Sequence, residues 1–249
     1  MELRDAVVLV TGASSGIGRE VSLALAGAGA RLLLAGRDGA ALEAVARRTG
    51  GTALVADLAT VDGARRLAAV ALATGPVDAV VLNAGAGWRG PLAAMTLEQV
   101  DRLLRLNLQA PIELTRALLP DMLQRGRGHV LAVASIAGVL GVGQESVYAA
   151  GKAGLVGFAD SLRYELAGTG VDVTVVIPGV VRTAFFDRRG QPYHRARPRP
   201  VRPERVARAI RRALSSGAAE VIVPRWLGLP VRLRALAPGL YRRLARRFG

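Results

Sequence analysis

The chain has 249 residues, a formal charge of +15 and no cysteine. This length suits one large α/β domain or two small domains. The lack of cysteine excludes disulfides, a thiol nucleophile and a thiolate metal site. Only two histidines occur, His129 and His194, which argues against a histidine-built metal site. We therefore expect no bound metal.

The charge is concentrated towards the C-terminus. Residues 183–212 and 224–249 hold a large share of the arginines, and no acid follows Glu220. Such asymmetry indicates an anionic partner, for which anionic lipid, an acidic carrier protein and a phosphorylated cofactor are candidates. Nucleic acid is not expected, because aromatic residues are sparse and no nucleic-acid motif occurs. No apolar run approaches the roughly 18 residues of a spanning helix. The acidic first residues do not resemble a signal peptide, so we expect a cytoplasmic protein that is at most peripheral to a membrane.

Apolar segments of strand length alternate with helical segments along most of the chain. Strands are predicted at residues 6–10, 31–35, 52–56, 78–82, 129–134, 172–177 and 220–223, and long helices at 17–28, 97–124 and 147–167. This alternation is typical of parallel strands joined by crossover helices. It predicts a single doubly wound α/β domain over residues 1–223, with about seven parallel strands flanked by helices. Ligands then bind at the carboxyl ends of the strands.

A glycine-rich turn follows the first strand and opens a helix. Glycines there allow a tight turn and let a pyrophosphate approach the helix N-terminus. The turn predicts a dinucleotide cofactor, although its Gly-x-x-x-Gly-x-Gly spacing differs from the commoner Gly-x-Gly-x-x-Gly. The candidate cofactor contacts are Thr11, Gly12, Ser14, Ser15, Gly16, Ile17 and Gly18.

The end of the second strand indicates which dinucleotide is bound. An acid at this position usually holds the ribose 2′-hydroxyl, but this chain has Gly36 followed by Arg37. A guanidinium can bind a 2′-phosphate through two hydrogen bonds. Arg37 therefore favours NADP(H) over NAD(H), unless Asp38 pairs with it or Arg37 is simply a solvated loop residue.

Lys152 is the only lysine among 34 lysines and arginines, and it lies four residues after Tyr148. Residues i and i+4 share a helix face. The pair predicts a phenol whose pKa is lowered by a neighbouring ammonium, as a general acid or base requires. A compact ammonium is not replaceable by guanidinium at such a site, although chance survival of a surface lysine remains the alternative.

Taken together, these motifs resemble the short-chain dehydrogenase/reductase family over roughly residues 5–223. Segment 11–18 resembles its glycine motif, and Asn107, Ser135, Tyr148 and Lys152 match its catalytic tetrad. The resemblance implies a Rossmann-type domain in a homodimer or homotetramer. It also implies further cofactor contacts, at Asp57, Leu58, Asn83, Ala84, Gly85, Pro178, Gly179, Val181 and Thr183, besides Tyr148 and Lys152.

The resemblance also implies a role for each catalytic residue. Tyr148 is the proton donor, Lys152 stabilises its phenolate and contacts the nicotinamide ribose, and Ser135 holds the substrate oxygen. Asn107 holds a water that feeds protons through Lys152, and Thr183 bonds the carboxamide. The reaction is NADP(H)-dependent reduction of a ketone or aldehyde, or the reverse oxidation. A 3-oxoacyl-carrier reductase and a non-catalytic NADP-binding or membrane-scaffold protein are the alternatives.

One position departs from the family pattern: Gly151 stands where the family usually has serine. A helical glycine costs about 1 kcal/mol relative to alanine. It is interpreted either as allowing close packing at a subunit interface or as the mere loss of a hydrogen bond.

Two segments lie outside the regular alternation. Residues 184–203, rich in Arg and Pro, are predicted to form the substrate loop. Residues 224–249 form a basic tail, in which Leu229, Leu233, Leu236, Leu240, Leu244 and Phe248 recur at spacings that suit one helical face, with a break at Pro238-Gly239. The tail is interpreted either as helices lying on an anionic membrane, which favours a lipophilic substrate, or as packing on the rest of the protein.

Overall fold

The computed structural model describes residues 1–191, 193 and 198–248, with the side chains of 246–248 outside the description. It contains seven parallel strands: β1 (Val7–Thr11), β2 (Arg31–Gly36), β3 (Thr52–Val55), β4 (Ala79–Leu82), β5 (Gly128–Val133), β6 (Val171–Pro178) and β7 (Glu220–Val223). All seven predicted strands are confirmed, with ends that differ by at most one residue. The five central strands are mostly Val, Leu and Ala and are buried on both faces, as central parallel strands must be, whereas the edge strands β3 and β7 are partly exposed.

The strand order is β3-β2-β1-β4-β5-β6-β7. The order reverses between β1 and β4, and in a doubly wound sheet a ligand binds above such a reversal, at the carboxyl ends of the strands. The doubly wound, Rossmann-type prediction is therefore confirmed.

Eleven α-helices surround the sheet in the part of the chain that is described. They are α1 (Gly16–Ala26), α2 (Gly39–Thr49), α3 (Gly63–Ala73), α4 (Leu97–Leu104), α5 (Ala110–Gln124), α6 (Ile136–Leu140), α7 (Ser146–Glu165), α8 (Phe185–Arg188), α9 (Pro203–Ser216), α10 (Gly228–Leu236) and α11 (Pro238–Phe248). Helices α1, α2 and α9 supply the core on one face of the sheet, and α3, α5 and α7 supply it on the other.

The predicted helix over residues 97–124 is interrupted. A π-helical turn, Arg105–Gln109, separates α4 from α5 and carries Asn107. Insertions of this kind are frequent at functional sites. Periodicity alone did not reveal this one, because a single widened turn leaves the apolar spacing on both sides almost unchanged.

The basic tail forms two helices that break at Pro238, as predicted. The expectation of one leucine face is wrong: Leu229 and Leu236 are 67% and 85% exposed, whereas Leu233 is half-buried and faces a cavity. The tail also contacts the body of the protein, because the Tyr241 hydroxyl donates a 3.2 Å hydrogen bond to the Leu140 carbonyl. Gly249 and the side chain of Phe248 lie outside the description.

The predicted substrate loop contains the short helix α8. Its base is closed by pairing between Val181 and Val201, the only link of this kind recorded outside the named strands of the described chain. Pro192, His194 and residues 195–197 lie outside the description, so that part of the substrate-loop prediction has no structural counterpart here.

Candidate active site

The glycine turn between β1 and α1 is built as an open cradle. Gly12 and Gly16 have φ values of +65° and +57°, which favour glycine because a Cβ is strained there. A Cβ on Gly18 would lie 2.1 Å from the Gly12 carbonyl oxygen, so glycine is also required for helix and turn to pack. Ser15 caps α1 without a side-chain capping bond, and the first turn of α1 has no acid. Its amide groups and positive dipole end therefore suit an anion.

Thr11 and Asn83 hold the cradle at the point where strand order reverses. The Thr11 hydroxyl accepts hydrogen bonds from the backbone amides of Asn83 and Ala84 at 2.9 and 3.0 Å. The Asn83 side chain donates to the carbonyl oxygens of Thr11 and Gly12 at 2.9 and 3.3 Å. Thr11 is fully buried beneath the turn. Both residues therefore shape the cradle, and Thr11 does not face its open side.

Arg37 lies at the carboxyl end of β2 with an exposed side chain. Asp38 does not pair with it, because the Asp38 carboxylate caps α2 by accepting a 3.0 Å hydrogen bond from the Ala41 amide. The nearest acid is Asp57, whose carboxylate is 4.0 Å from the Arg37 guanidinium. At the outer limit of an ion pair and with 55% of the side chain exposed, this contact leaves Arg37 available for another anion.

Tyr148 and Lys152 share the buried face of α7, beside the end of β5. Burial raises the pKa of Tyr148 to about 12; a hydrogen bond with Ser135 acts in the opposite direction, Glu145 raises the pKa further and Arg189 lowers it. Burial also lowers the pKa of Lys152 to about 8. The expected lowering of the Tyr148 pKa is therefore not found, because the loss of solvation of the phenolate raises this pKa and is the largest effect on it.

Lys152 and Asn107 meet beside the Asn83-Ala84-Gly85 segment. The Lys152 ammonium donates a 2.9 Å hydrogen bond to the Val133 carbonyl. The Asn107 amide donates to the carbonyl oxygens of Ala86 and Leu103, both at 2.9 Å. Its Oδ1 is buried and has no hydrogen-bond partner among the described residues. A Cβ on Gly85 would lie 2.8 Å from this oxygen and 3.4 Å from Lys152 Nζ, so both polar groups border the same small space.

Gly151 lies in the same region, where there is little space for a side chain. It is buried within the chain, and a Cβ there would lie 3.2 Å from the Asn107 Cβ. This close approach between α7 and the π-helical turn explains a small residue at position 151. Close packing at a subunit interface stays a prediction.

Helix α8 spans the cleft between the cradle and α7. The Arg188 guanidinium donates a 2.9 Å hydrogen bond to the Ser15 hydroxyl. The next residue, Arg189, forms a buried ion pair with Glu145 and lies 4.5 Å above the centre of the Phe186 ring. The Phe185 ring packs against Tyr148 with 5.5 Å between ring centres. Sequence reasoning missed Arg188, Arg189 and Glu145, because nothing distinguishes them from the other charged residues except their tertiary partners.

One cavity of about 1390 Å³ connects these features. Ser135, Tyr148 and Lys152 line it, as do most of the predicted cofactor contacts, namely Gly12, Ser14, Ser15, Gly16, Ile17, Arg37, Asp57, Leu58, Asn83, Ala84, Gly85, Pro178, Gly179, Val181 and Thr183. Thr11, Gly18 and Asn107 do not line it and support it from behind. The volume exceeds the roughly 300–1,000 Å³ of a pocket for one small ligand, which fits a dinucleotide together with a substrate.

The tail supplies one wall of this cavity. Trp226, Leu227, Pro230, Leu233, Tyr241, Arg242, Leu244 and Ala245 all line it. Leu227 is buried, and a Cβ on Gly179 would lie 2.5 Å from its Cδ1, so the start of the tail packs on the predicted nicotinamide segment. The leucine spacing signalled helices in the tail but not which leucines face inward.

Comparisons with known proteins agree with this architecture. Residues 6–193 match the short chain dehydrogenase family. The mouse protein dehydrogenase/reductase SDR family member 7B is 38% identical over 194 residues, which span 73% of this chain and 59% of the mouse protein. Ketoacyl reductase HetN from Nostoc is 35% identical over 227 residues, covering 89% of this chain and 79% of HetN.

A solved structure shows the same fold. The short-chain dehydrogenase from Sphingobium yanoikuyae in complex with NADPH superimposes with a TM-score of 0.83 at 28% identity, covering 94% of this chain and 96% of the other. The segment that matches the family, residues 6–193, contains the glycine turn and the Tyr148–Lys152 pair. This chain therefore belongs to the short-chain dehydrogenase family.

Proposed function

We propose that the protein is an NADP(H)-dependent oxidoreductase that reduces a ketone or aldehyde to an alcohol or catalyses the reverse oxidation. The observation that carries this proposal is the meeting of buried Tyr148 and Lys152 with Ser135 on the wall of the cavity that begins at the glycine turn. When bound, the nicotinamide supplies or accepts the hydride. The residues of the chain position the reactants and handle the proton.

Tyr148 is proposed as the proton donor during reduction. With its pKa raised to about 12, the phenol is protonated at neutral pH and can donate to a carbonyl oxygen. The Ser135 hydroxyl, at the start of α6, is placed to hydrogen-bond the same oxygen. In the oxidation direction the phenol must lose its proton, and the Lys152 ammonium would stabilise the phenolate.

Lys152 and Asn107 are proposed to resupply that proton. The unpaired Asn107 Oδ1 borders the same space as Lys152 Nζ, next to Gly85. An acceptor that is buried without a partner is costly and calls for a bound water or other donor. A water held by Asn107 would link Lys152 to solvent and restore the phenol after each turnover.

The preference for NADP(H) is proposed from Arg37. Its guanidinium lies beside the cavity at the end of β2, where an acid would select NAD(H), and Asp38 is engaged in capping α2. A 2′-phosphate placed there would gain a charge-assisted contact.

A lipophilic substrate is proposed from the walls of the cavity. Six of the ten aromatic residues of the chain line it, although aromatic residues make up only 4% of the sequence. Phe185 lies next to Tyr148 and Phe186 next to Phe185, and the tail adds leucines to the cavity wall. Apolar walls with a few polar groups at the reacting end are typical of sites for largely apolar ligands.

A peripheral membrane contact is proposed for the outer surface of the tail. Leu229, Leu236 and Leu240 are exposed there beside the exposed arginines Arg232 and Arg234. Apolar residues flanked by cations suit the boundary between acyl chains and anionic headgroups. No described helix is long and apolar enough to cross a bilayer, so this contact would be confined to the surface.

A 3-oxoacyl-carrier reductase is the second candidate. Its support is the relationship to a protein named ketoacyl reductase, together with Arg89 and Arg242 on the cavity wall, which would suit an acidic carrier or a phosphorylated arm. This reaction uses the same proton donor and differs only in the group attached to the carbonyl.

The test is NADPH consumption with soluble ketones, long-chain ketones and 3-oxoacyl thioesters, for the wild type and Tyr148→Phe. The expected result is turnover of at least one class and a loss of more than about a hundredfold in the variant, as removal of a general acid causes. Turnover retained in Tyr148→Phe would remove the proposed mechanism. No NADPH or NADH consumption with any carbonyl would favour a non-catalytic binding protein.

A further inference from the structure

The two helices of the tail have an inner face, which lines the cavity, and an outer face, which is exposed. On α10, Leu233 lines the cavity, whereas Leu229, one turn earlier, is 67% exposed. On α11, Tyr241, Arg242, Leu244 and Ala245 line the cavity. The inner face is thus mostly apolar, with Arg242 as its one charged lining residue among the described side chains, and it lies against the same cavity as Tyr148.

The position of the inner face is maintained by contacts at both ends of α10. At its beginning, Leu227 is buried against the Pro178-Gly179 segment. Beyond α10, the Tyr241 hydroxyl bonds to Leu140, which ends the helix that begins after Ser135. The tail therefore bridges from the cofactor side of the cavity to the Ser135 side.

The character of the wall changes along the cavity. Near Tyr148 it is aromatic, because the rings of Phe185, Phe186 and Tyr193 follow one another in tilted or edge-to-face contacts, with 5.5 Å between neighbouring ring centres. Towards the tail it is largely aliphatic, with Leu140, Val142, Leu233 and Leu244 among the lining residues. A flexible alkyl chain fits an aliphatic wall without requiring any hydrogen bond there.

We infer that the inner face of α10 and α11 is the chain-binding subsite of the enzyme, which holds the alkyl chain of an aliphatic carbonyl substrate while its oxygen lies at Tyr148. The inference rests on the proposed function. It assigns the tail a direct part in substrate selection, separate from any membrane contact made by its outer face.

The experiment compares Leu233→Asn with Leu229→Asn, a matched pair that places the same polar group one helical turn apart. Methyl ketones of increasing chain length, from butanone upwards, are assayed without lipid. In the wild type and Leu229→Asn, kcat/KM should rise with each methylene by up to about fourfold, the value for full burial of one such group. In Leu233→Asn the gain in kcat/KM per methylene should fall to less than half of the wild-type factor.

A second measurement separates this inference from the proposed chemistry. Alkyl carboxamides of the same chain lengths, which present a carbonyl oxygen but are not reduced, are titrated calorimetrically into the protein with NADP⁺. Binding that tightens with chain length in the wild type, but not in Leu233→Asn, supports the subsite even if no ketone is reduced. The subsite is overturned if binding does not depend on chain length in the wild type, or depends on it equally in Leu233→Asn and Leu229→Asn. The proposed function would still stand in that case if ketones are turned over.

Discussion

The Tyr241 hydroxyl donates a 3.2 Å hydrogen bond to the Leu140 carbonyl, across 101 positions of sequence. This bond joins the last helix to α6, which begins directly after Ser135. Tyr241→Phe should therefore lower the free energy of unfolding by about 0.5–1.5 kcal/mol, the usual net value of one such bond. Thermal denaturation provides the measurement. Turnover of small ketones should stay unchanged, and a large loss there would mean that the tail positions the catalytic residues directly.

Lys152→Arg should abolish most turnover although the charge is kept. The ammonium is buried and bonded to the Val133 carbonyl, and the space beside it is narrow, because even a Cβ on Gly85 would lie 3.4 Å from Lys152 Nζ. A planar guanidinium is bulkier and does not match this compact site. We expect kcat/KM to fall by more than tenfold, equivalent to about 1.4 kcal/mol of transition-state stabilisation. Steady-state kinetics on a protein shown to be folded by circular dichroism would test this. Retention of more than about a tenth of the activity would contradict the assigned tetrad.

Arg37→Ala should weaken NADPH binding by about 1–3 kcal/mol and leave NADH binding nearly unchanged, because only NADPH carries the 2′-phosphate. Fluorescence titration of both cofactors is the measurement. Equal losses for the two would refute the specificity argument.

Arg188→Ala should behave differently from Arg37→Ala. Arg188 reaches Ser15 at the N-terminus of α1, where the pyrophosphate common to both cofactors is expected. We therefore expect NADPH and NADH to be weakened by similar factors in the same titrations. Arg182→Ala is the matched control, since Arg182 is an exposed residue before the same loop that does not line the cavity. Weaker binding of only one of the two cofactors would mean that Arg188 does not act on the shared pyrophosphate.

Removal of residues 229–249 tests the membrane contact. This cut retains Leu227, whose burial against Gly179 makes it part of the cofactor side of the cavity. Full-length protein should co-sediment with anionic vesicles at low salt and dissociate as salt screens charges beyond about 8 Å, while the truncated protein should not bind. Lack of co-sedimentation by the full-length protein would end the membrane proposal. A lower melting temperature after truncation would report the packing role of the tail instead.

His129 should make stability depend on pH below neutrality. Its Nε2 bonds to the Thr174 hydroxyl at 2.8 Å inside the sheet, and burial lowers the pKa to about 4. The unfolded chain, with a pKa near 6.5, binds the proton first. Stability should therefore be complete above about pH 6.5 and fall by roughly 3 kcal/mol as pH decreases towards 4. Urea unfolding of the wild type and His129→Asn across this range tests it, and parallel curves would exclude His129 as the cause.

The site residues that local sequence signals predicted lie together in the structure. The glycine turn, the Asn83-Ala84-Gly85 segment and the Tyr148–Lys152 spacing each occupy a few consecutive residues, and the sheet brings them to one cavity. The direction of the tyrosine pKa was not foreseen, since it depends on how much solvent the surrounding elements exclude. The sequence left the role of Gly151 open, because its close neighbour, Asn107, is 44 positions away.

The sequence by itself determined the seven strands, their parallel direction with crossover helices between them, and the Tyr148–Lys152 spacing on one helix. Short apolar runs and fixed helical spacing depend only on nearby residues. Tertiary structure alone decided which tail leucines turn inward, which acid meets Arg189 and how strongly Tyr148 is desolvated. These properties are sums over contacts between distant segments. No local pattern carries them, since the same leucine or arginine spacing is compatible with a face in solvent, on a membrane or against the cavity.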